Sequence, residues 1–309
     1  MLVILLLCIL SGCKGDAKNG NAAQRTAVAT TTGFSGDAAY NYAKAQVAFG
    51  PRVPGTPAAK QAGDWIISQM RARADTVIVQ SFTYTTADGK KLALRNILGR
   101  FRPELSNRVL YLTHWDSRPI SESAPTEAEK KMPVPGANDG ASGVGMFVAL
   151  GDVLKKTKPN VGVDLLFTDG EDYGQFGPPD VDVLIGAKYF AAHLPSPGYK
   201  PLYGVLWDMI GDKDLRIPYE MNSFQQVPDV VSRVWQTAAD LGHADVFVQE
   251  SGGQITDDHM PLLNAGLRVI DVIDLTYPPH HTPYDTMDKI SAKSLGIVGD
   301  VATALVTRK

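Results

Sequence analysis

The sequence has few cysteines, no excess of positive charge and no hydrophobic segment long enough to span a bilayer. Its 309 residues include two cysteines, and 30 Lys and Arg are set against 33 Asp and Glu, a net charge of −3. With no basic surplus and no nucleic-acid-binding motif, we expect no nucleic-acid partner. The apolar run at residues 2–10 is too short for a membrane-spanning helix.

The N-terminal residues predict a processed and lipidated leader. The run at residues 2–10 is typical of the apolar core of a signal peptide. It ends in Leu10-Ser11-Gly12-Cys13, which resembles the lipobox of bacterial lipoproteins and implies cleavage before Cys13 and acylation of its thiol. No Lys or Arg precedes the run, which departs from the usual pattern of a signal peptide. The alternative is an ordinary secretory signal with a chance cysteine. Several acyl chains hold a protein stably on a membrane. We therefore expect a lipid-anchored protein of the bacterial cell envelope.

Three regions are expected along the chain: a signal peptide at 1–12, the lipidated Cys13 with a flexible tether at 13–32, and a catalytic domain at 33–309. The tether is predicted because residues 14–32 are small and polar. Cys8 lies inside the signal, so the mature chain is expected to have no disulfide and its fold to depend on its core. The sequence gives no indication of an oligomeric state.

The remaining sequence alternates β-rich runs with helical patterns. Such alternation predicts an α/β fold in a single domain, with a mostly parallel, mixed sheet sandwiched by helices. Strands are predicted at residues 77–84, 96–101, 109–114, 163–168, 202–208 and 267–271. Helices are predicted at residues 38–49, 58–70, 142–155, 184–192, 227–241 and 291–306.

Acidic and imidazole side chains stand where four of the predicted strands end. Ligands of such sheets bind at the carboxyl ends of the strands, so we expect these side chains to lie close together. Asp139 lies instead in a Gly-rich turn before a helix, where on its own it is equally compatible with a helix cap. The whole set is His114, Asp116, Asp139, Glu171, Asp172, Asp208, His280 and His281.

This set of side chains predicts a metal centre. Carboxylates that converge at one sheet edge repel each other unless a cation compensates them. Carboxylate oxygens with imidazole nitrogens, and no thiolate, suit zinc with an open coordination position. In the adjacent pair Glu171 and Asp172, one carboxylate can bind the metal while the other moves a proton.

Six motifs, in their order along the chain, resemble those of zinc-dependent exopeptidases and glutaminyl cyclases. The similarity runs from about Ala38 to the C-terminus and implies the phosphorylase/hydrolase-like fold of these enzymes. The first motif resembles the bacterial branch of the glutaminyl cyclases. The motifs are FGPRVPG (49–55), HWDSRP (114–119), GANDGASG (136–143), DGED (169–172), DMIG (208–211) and HT (281–282).

The resemblance implies which residues bind the metal. In a cyclase, one zinc ion is held by Asp139, Asp172 and His281. In a two-metal aminopeptidase, Asp139 would bridge two zinc ions, and the second ion would be completed by His114 and Asp208.

The resemblance also implies the chemistry. Glu171 matches the general acid/base, and Asp208 and Asp257 match two acids of the hydrogen-bond network beside it. A cyclase converts the N-terminal Gln of a peptide to pyroglutamate and releases ammonia. A zinc aminopeptidase, the alternative, hydrolyses the N-terminal residue, and both enzymes take peptides with a free N-terminus. A non-catalytic binding lipoprotein would require lost ligands, and none is visibly lost.

The substrate pocket is where the sequence departs from the cyclases. Cyclases carry Trp before the ligand His, whereas His280 stands there in this chain, and residues 282–286 are more typical of an aminopeptidase. His281 is favoured over His280 as the ligand because the motif pairs His with Thr. For the aromatic candidates, core packing is the commoner role. The candidate pocket residues are Trp115, Tyr173, Phe176, Tyr277 and His280.

Overall fold

The computed structural model describes residues 32–308, and the predictions for the signal peptide and Cys13 lie outside this range. The helices are α1 (Gly36–Val47), α2 (Pro57–Arg71), α3 (Ala141–Thr157), α4 (Ile185–Ala192), α5 (Met221–Gln226), α6 (Pro228–Asp240), α7 (His259–Asn264) and α8 (Ala292–Thr307). The strands are β1 (Thr76–Thr85), β2 (Lys91–Phe101), β3 (Arg108–His114), β4 (Gly162–Thr168), β5 (Tyr203–Asp208), β6 (Ile217–Tyr219), β7 (Phe247–Ser251) and β8 (Val269–Ile273). A short 3₁₀ helix spans Glu129–Lys131.

The main sheet has six strands in the order β1-β2-β4-β3-β5-β8. β4, β3, β5 and β8 are parallel, while β2 is antiparallel to both β1 and β4. This mixed, mostly parallel sheet between helices confirms the predicted fold class. A small parallel sheet of β6 and β7 was not predicted.

Helices cover both faces of the central strands, which is why every residue of β3, β4, β5 and β8 is buried. Along β3, Tyr111 belongs to the large core cluster that includes residues of α1, α3 and α8. Leu110 and Leu112 belong to a second cluster, with residues of α4 and α7. Successive side chains of a strand point to opposite faces, so one strand supplies both cores.

Within residues 32–308, no helix is both long and apolar enough to cross a membrane. Thr32, placed by the sequence at the end of the tether, donates a hydrogen bond to Asp300 in α8.

Candidate metal centre and active site

The polar side chains predicted to converge do meet at the carboxyl edge of the parallel strands. β3 ends at His114, β5 ends at Asp208, and β4 is followed directly by the segment 169–172. Asp139 comes from the turn before α3, where Gly140 has a φ of 93°. A Cβ at Gly140 would lie 2.6 Å from the carbonyl oxygen of Asp116, so only glycine fits this turn.

The three proposed zinc ligands of the cyclase form the first cluster. His281 Nε2 lies 3.6 Å from Asp139 Oδ2 and 3.4 Å from Asp172 Oδ1. Tetrahedral zinc with bonds of about 2.1 Å separates its ligand atoms by about 3.4 Å. The Oδ2 atoms of Asp139 and Asp172 are buried without a hydrogen-bond partner. Buried, unpartnered carboxylate oxygens need a cation or a donor, and each of these two carboxylates lies near the His281 nitrogen at a separation that suits zinc. Within residues 32–308, the groups whose ligand atoms all lie within 4.8 Å of one another are Asp139 with His280 and His281, and Asp139 with His114 and Asp208.

A second cluster surrounds His114. Its Nε2 lies 3.0 Å from Asp139 Oδ1 and 3.2 Å from Asp208 Oδ1, and its Nδ1 lies 3.4 Å from Asp116 Oδ1. Burial opposes the charged form of the imidazole, but Asp208 and the other two carboxylates outweigh it and raise the pKa of His114. Asp139 is shared by both clusters, as a bridging ligand would be.

His280 is also close enough to be considered as a ligand. One ring nitrogen of His280, one of His281 and a carboxylate oxygen of Asp139 lie within 4.8 Å of one another. The two imidazole rings are 3.7 Å apart. Burial and the neighbouring His281 lower the pKa of His280, which keeps its ring neutral. Only His281 has recorded contacts with both Asp139 and Asp172.

Glu171 stands beside the ligands and lines a cavity of about 690 Å³ together with Asp208 and Asp257. Its carboxylate is buried, and its Oε2 lies 3.8 Å from His114 Nδ1. Burial, reinforced by the charge of Asp172, raises the pKa of Glu171. Burial and Asp208 raise the pKa of Asp257 in the same way. Glu171 and Asp257 can therefore hold protons that a metal-binding carboxylate would give up.

Two carboxylates hold the backbone of the site: Asp116, which the sequence placed in the converging set, and Asp285, which it did not single out. Asp116 accepts the N–H groups of Glu171 (3.1 Å) and Asp172 (3.2 Å), one with each oxygen. Asp285 accepts the N–H groups of Asn138 (2.8 Å) and Asp139 (3.1 Å). Both residues lie within or beside motif segments, so the signal was present, but the sequence does not show that they bind main chain rather than metal.

The cavity over the acids contains two of the five predicted pocket residues. Phe176 and His280 line it, with the apolar side chains Met209, Ile255 and Leu275.

Trp115, Tyr173 and Tyr277 do not line this cavity, which corrects their prediction as its walls. Trp115 is buried and borders a separate cavity beside α2. Tyr173 packs in a small cluster with Leu92 and neighbouring side chains. Tyr277 is buried and donates its hydroxyl hydrogen to Asp285 at 2.7 Å.

The fold and the donor set define a class of zinc-dependent enzymes, and the comparisons with known proteins agree. The chain belongs to Peptidase family M28, whose model matches residues 96–306. This confirms the predicted family and a zinc-dependent enzyme of the exopeptidase or glutaminyl cyclase type.

Relatives of both types are similar to this chain. A glutaminyl cyclase structure from Bacteroides thetaiotaomicron is 34% identical with a TM-score of 0.86, and the match covers 89% of this chain and 98% of that one. A leucine aminopeptidase precursor from the same organism is also 34% identical with a TM-score of 0.86, over 89% and 98% of the two chains. An aminopeptidase of Bacillus subtilis is 25% identical over 80% of this chain, and the match covers only 49% of that protein.

Proposed function

We propose that this protein is a zinc-dependent glutaminyl-peptide cyclotransferase, which converts the N-terminal Gln of peptides to pyroglutamate and releases ammonia. In this assignment Asp139, Asp172 and His281 hold one zinc ion. The metal would supply a Lewis acid for the side-chain amide of the glutamine.

The choice of a single metal rests on the distances between side-chain atoms within each cluster, which differ between the two. Around His281 the contacts of 3.4 and 3.6 Å match the ligand separation of tetrahedral zinc. Around His114 the contacts of 3.0 and 3.2 Å are shorter than this separation, although neither ring nitrogen makes a hydrogen bond within the described residues. A charged imidazole at this point supplies the compensating positive charge that a second zinc ion would otherwise bring.

The chain's own residues would perform the proton transfers. Glu171 receives a proton from the attacking α-amine and delivers one to the leaving ammonia, a task suited to a buried acid with a raised pKa. Asp208 and Asp257 line the cavity beside it, and burial raises the pKa of Asp257. Phe176 and the apolar residues of the cavity exclude water, which favours attack by the substrate's own amine over hydrolysis. Because this attack is intramolecular, positioning of the amine can supply several of the roughly 7–11 kcal/mol available to well-oriented reactions.

The zinc aminopeptidase is the second candidate, and the second cluster is the observation that favours it. His114, Asp139 and Asp208 offer ligand atoms within 4.8 Å of one another. With a metal there, two ions would bind and activate water for hydrolysis of the N-terminal residue.

One pair of substrates separates the two activities. The purified protein is offered a peptide beginning with Gln and a matched peptide beginning with Leu, and ammonia and free amino acids are measured. Ammonia without cleavage supports the cyclotransferase, and released leucine contradicts it. The Glu171→Gln variant should lose activity while keeping its zinc. A parallel loss of zinc would show that Glu171, rather than Asp172, is the ligand.

We also propose that Cys13 carries a lipid anchor in the bacterial cell envelope, which the motif at residues 10–13 supports. Mass spectrometry of the expressed full chain should find acyl groups on an N-terminal Cys13, and Cys13→Ala should release the protein from the membrane fraction. An unmodified Cys13 in the mature protein would contradict the anchor.

A further inference from the structure

The segment between β3 and α3 forms hydrogen bonds with both the side chain and the backbone of His281. His281 Nδ1 and Glu122 Oε1 are 2.7 Å apart, and the carboxylate can only accept this hydrogen bond. The N–H of Ser123 donates to the carbonyl oxygen of His281 at 3.2 Å. His281 has a φ of 54°, a left-handed conformation that persists in a non-glycine residue when its surroundings hold it.

Arg118 extends this contact to a second proposed ligand. Its Nε donates to Glu122 Oε2 at 2.7 Å, and its Nη1 donates to Asp172 Oδ1 at 2.6 Å. Nη1 also donates to the carbonyl oxygen of Asp172 at 3.2 Å. A continuous chain of hydrogen bonds therefore runs from Asp172 through Arg118 and Glu122 to His281.

The bond to Glu122 determines which nitrogen of His281 is free. With the proton on Nδ1, the lone pair lies on Nε2, the atom that faces Asp139 and Asp172. A donor bond from the other ring nitrogen to a carboxylate fixes the tautomer and ring orientation of a metal-binding histidine and increases its basicity.

We propose that Glu122 is a positioning residue for zinc, which orients the His281 ring and, through Arg118, ties it to Asp172. This inference rests on the proposed zinc ligands but not on the choice between cyclotransferase and aminopeptidase. An ordinary surface ion pair would affect little beyond a small part of the stability, whereas Glu122 should set the affinity for zinc.

The test measures the zinc dissociation constant of the metal-depleted full chain by competition with a chromophoric chelator. Glu122→Ala should weaken zinc binding by roughly 10- to 100-fold. Glu122→Gln should lose less, because its amide oxygen can still accept from Nδ1. Glu127→Ala is the matched control, since Glu127 lies in the same segment and pairs only with Lys130 among the recorded ion pairs of residues 32–308. Melting of each zinc-free variant checks that the fold is intact.

The outcomes separate this inference from the assignment of the site. If His281→Ala abolishes zinc binding while Glu122→Ala stays within threefold of the wild type, the positioning role of Glu122 is wrong. An equal loss in Glu127→Ala also overturns it, because the effect would then belong to the whole segment. If His281→Ala itself leaves zinc binding unchanged, the proposed ligand set fails first.

Discussion

Asp285 is a buried carboxylate that supports the proposed metal centre by holding its backbone. It accepts hydrogen bonds from the backbone of Asn138 and Asp139 and from the hydroxyl of Tyr277. The turn that carries Asp139 is therefore held to the loop that carries His281, and two proposed ligands far apart in sequence are fixed relative to each other.

Replacing this carboxylate should cost more than replacing its side-chain partner. Asp285→Ala leaves three donors without their acceptor, and we expect the free energy of unfolding of the zinc-free protein to fall by about 2–4 kcal/mol. Tyr277→Phe removes one donor and leaves both backbone bonds, so it should cost about 1 kcal/mol. Urea unfolding measures both. If the two variants lose equal stability, Asp285 does not hold the turn.

Among the elements, helix α3 sets the position of Asp139, because it packs closely against the strands below. A Cβ at Gly143 would contact Thr113 Oγ1 and lie 2.8 Å from the carbonyl oxygen of Trp207, at the ends of β3 and β5. Glycine at position 143 therefore allows α3 to approach β3 and β5 closely, and its role is not flexibility.

Alanine at Gly143 should push α3 away from the sheet. We expect Gly143→Ala to lower the free energy of unfolding by about 1–3 kcal/mol and to weaken zinc binding, since Asp139 moves with the helix. Gly296 in α8 is the matched control, because a Cβ there would lie 3.7 Å from Gly36 Cα, an ordinary contact. Gly296→Ala should raise stability by about 0.5–1 kcal/mol through helix propensity. A neutral Gly143→Ala would show that α3 has room to adjust.

The sequence predicted the long elements and missed the short ones for physical reasons. The buried strands β3, β4 and β5 consist mostly of apolar residues, and six helices have enough turns for a 3.6-residue period to appear. β6, with three residues, and α5 and α7, with six each, are too short for any period. β2 begins at Lys91, five residues before its predicted start. Its first half alternates buried leucines with exposed residues, the pattern of a half-buried strand, which the prediction overlooked.

The candidate site likewise contains residues that the sequence could predict and one that it could not. The proposed ligands could be singled out because they stand in ordered motifs, Asp172 after a strand end, Asp139 in a glycine-rich turn and His281 in a loop after β8. Glu122 stands in an irregular segment and meets His281 across 159 positions of sequence. No local pattern encodes such a contact, so only the folded chain reveals it.

For the whole molecule, we expect bound zinc to stabilise the fold, because it would compensate the buried acids at the sheet edge. Burial raises the pKa of Glu171 and Asp257, and a buried carboxylate without a compensating cation destabilises the folded state. A zinc ion bound only by the folded chain adds about 4 kcal/mol when free zinc exceeds its dissociation constant a thousandfold.

Removal of zinc should therefore lower the melting temperature. In a domain of this size each kcal/mol shifts Tm by about 2–4 °C, so chelation should lower it by about 8–16 °C, and added zinc should restore it. His281→Ala lacks one proposed ligand, so its Tm should hardly respond to chelator or zinc. Calorimetry with and without chelator measures the shift. If the wild type melts at one temperature in both states, the acids at the sheet edge are held together by their own protons and by His114, and the ion is not part of the fold.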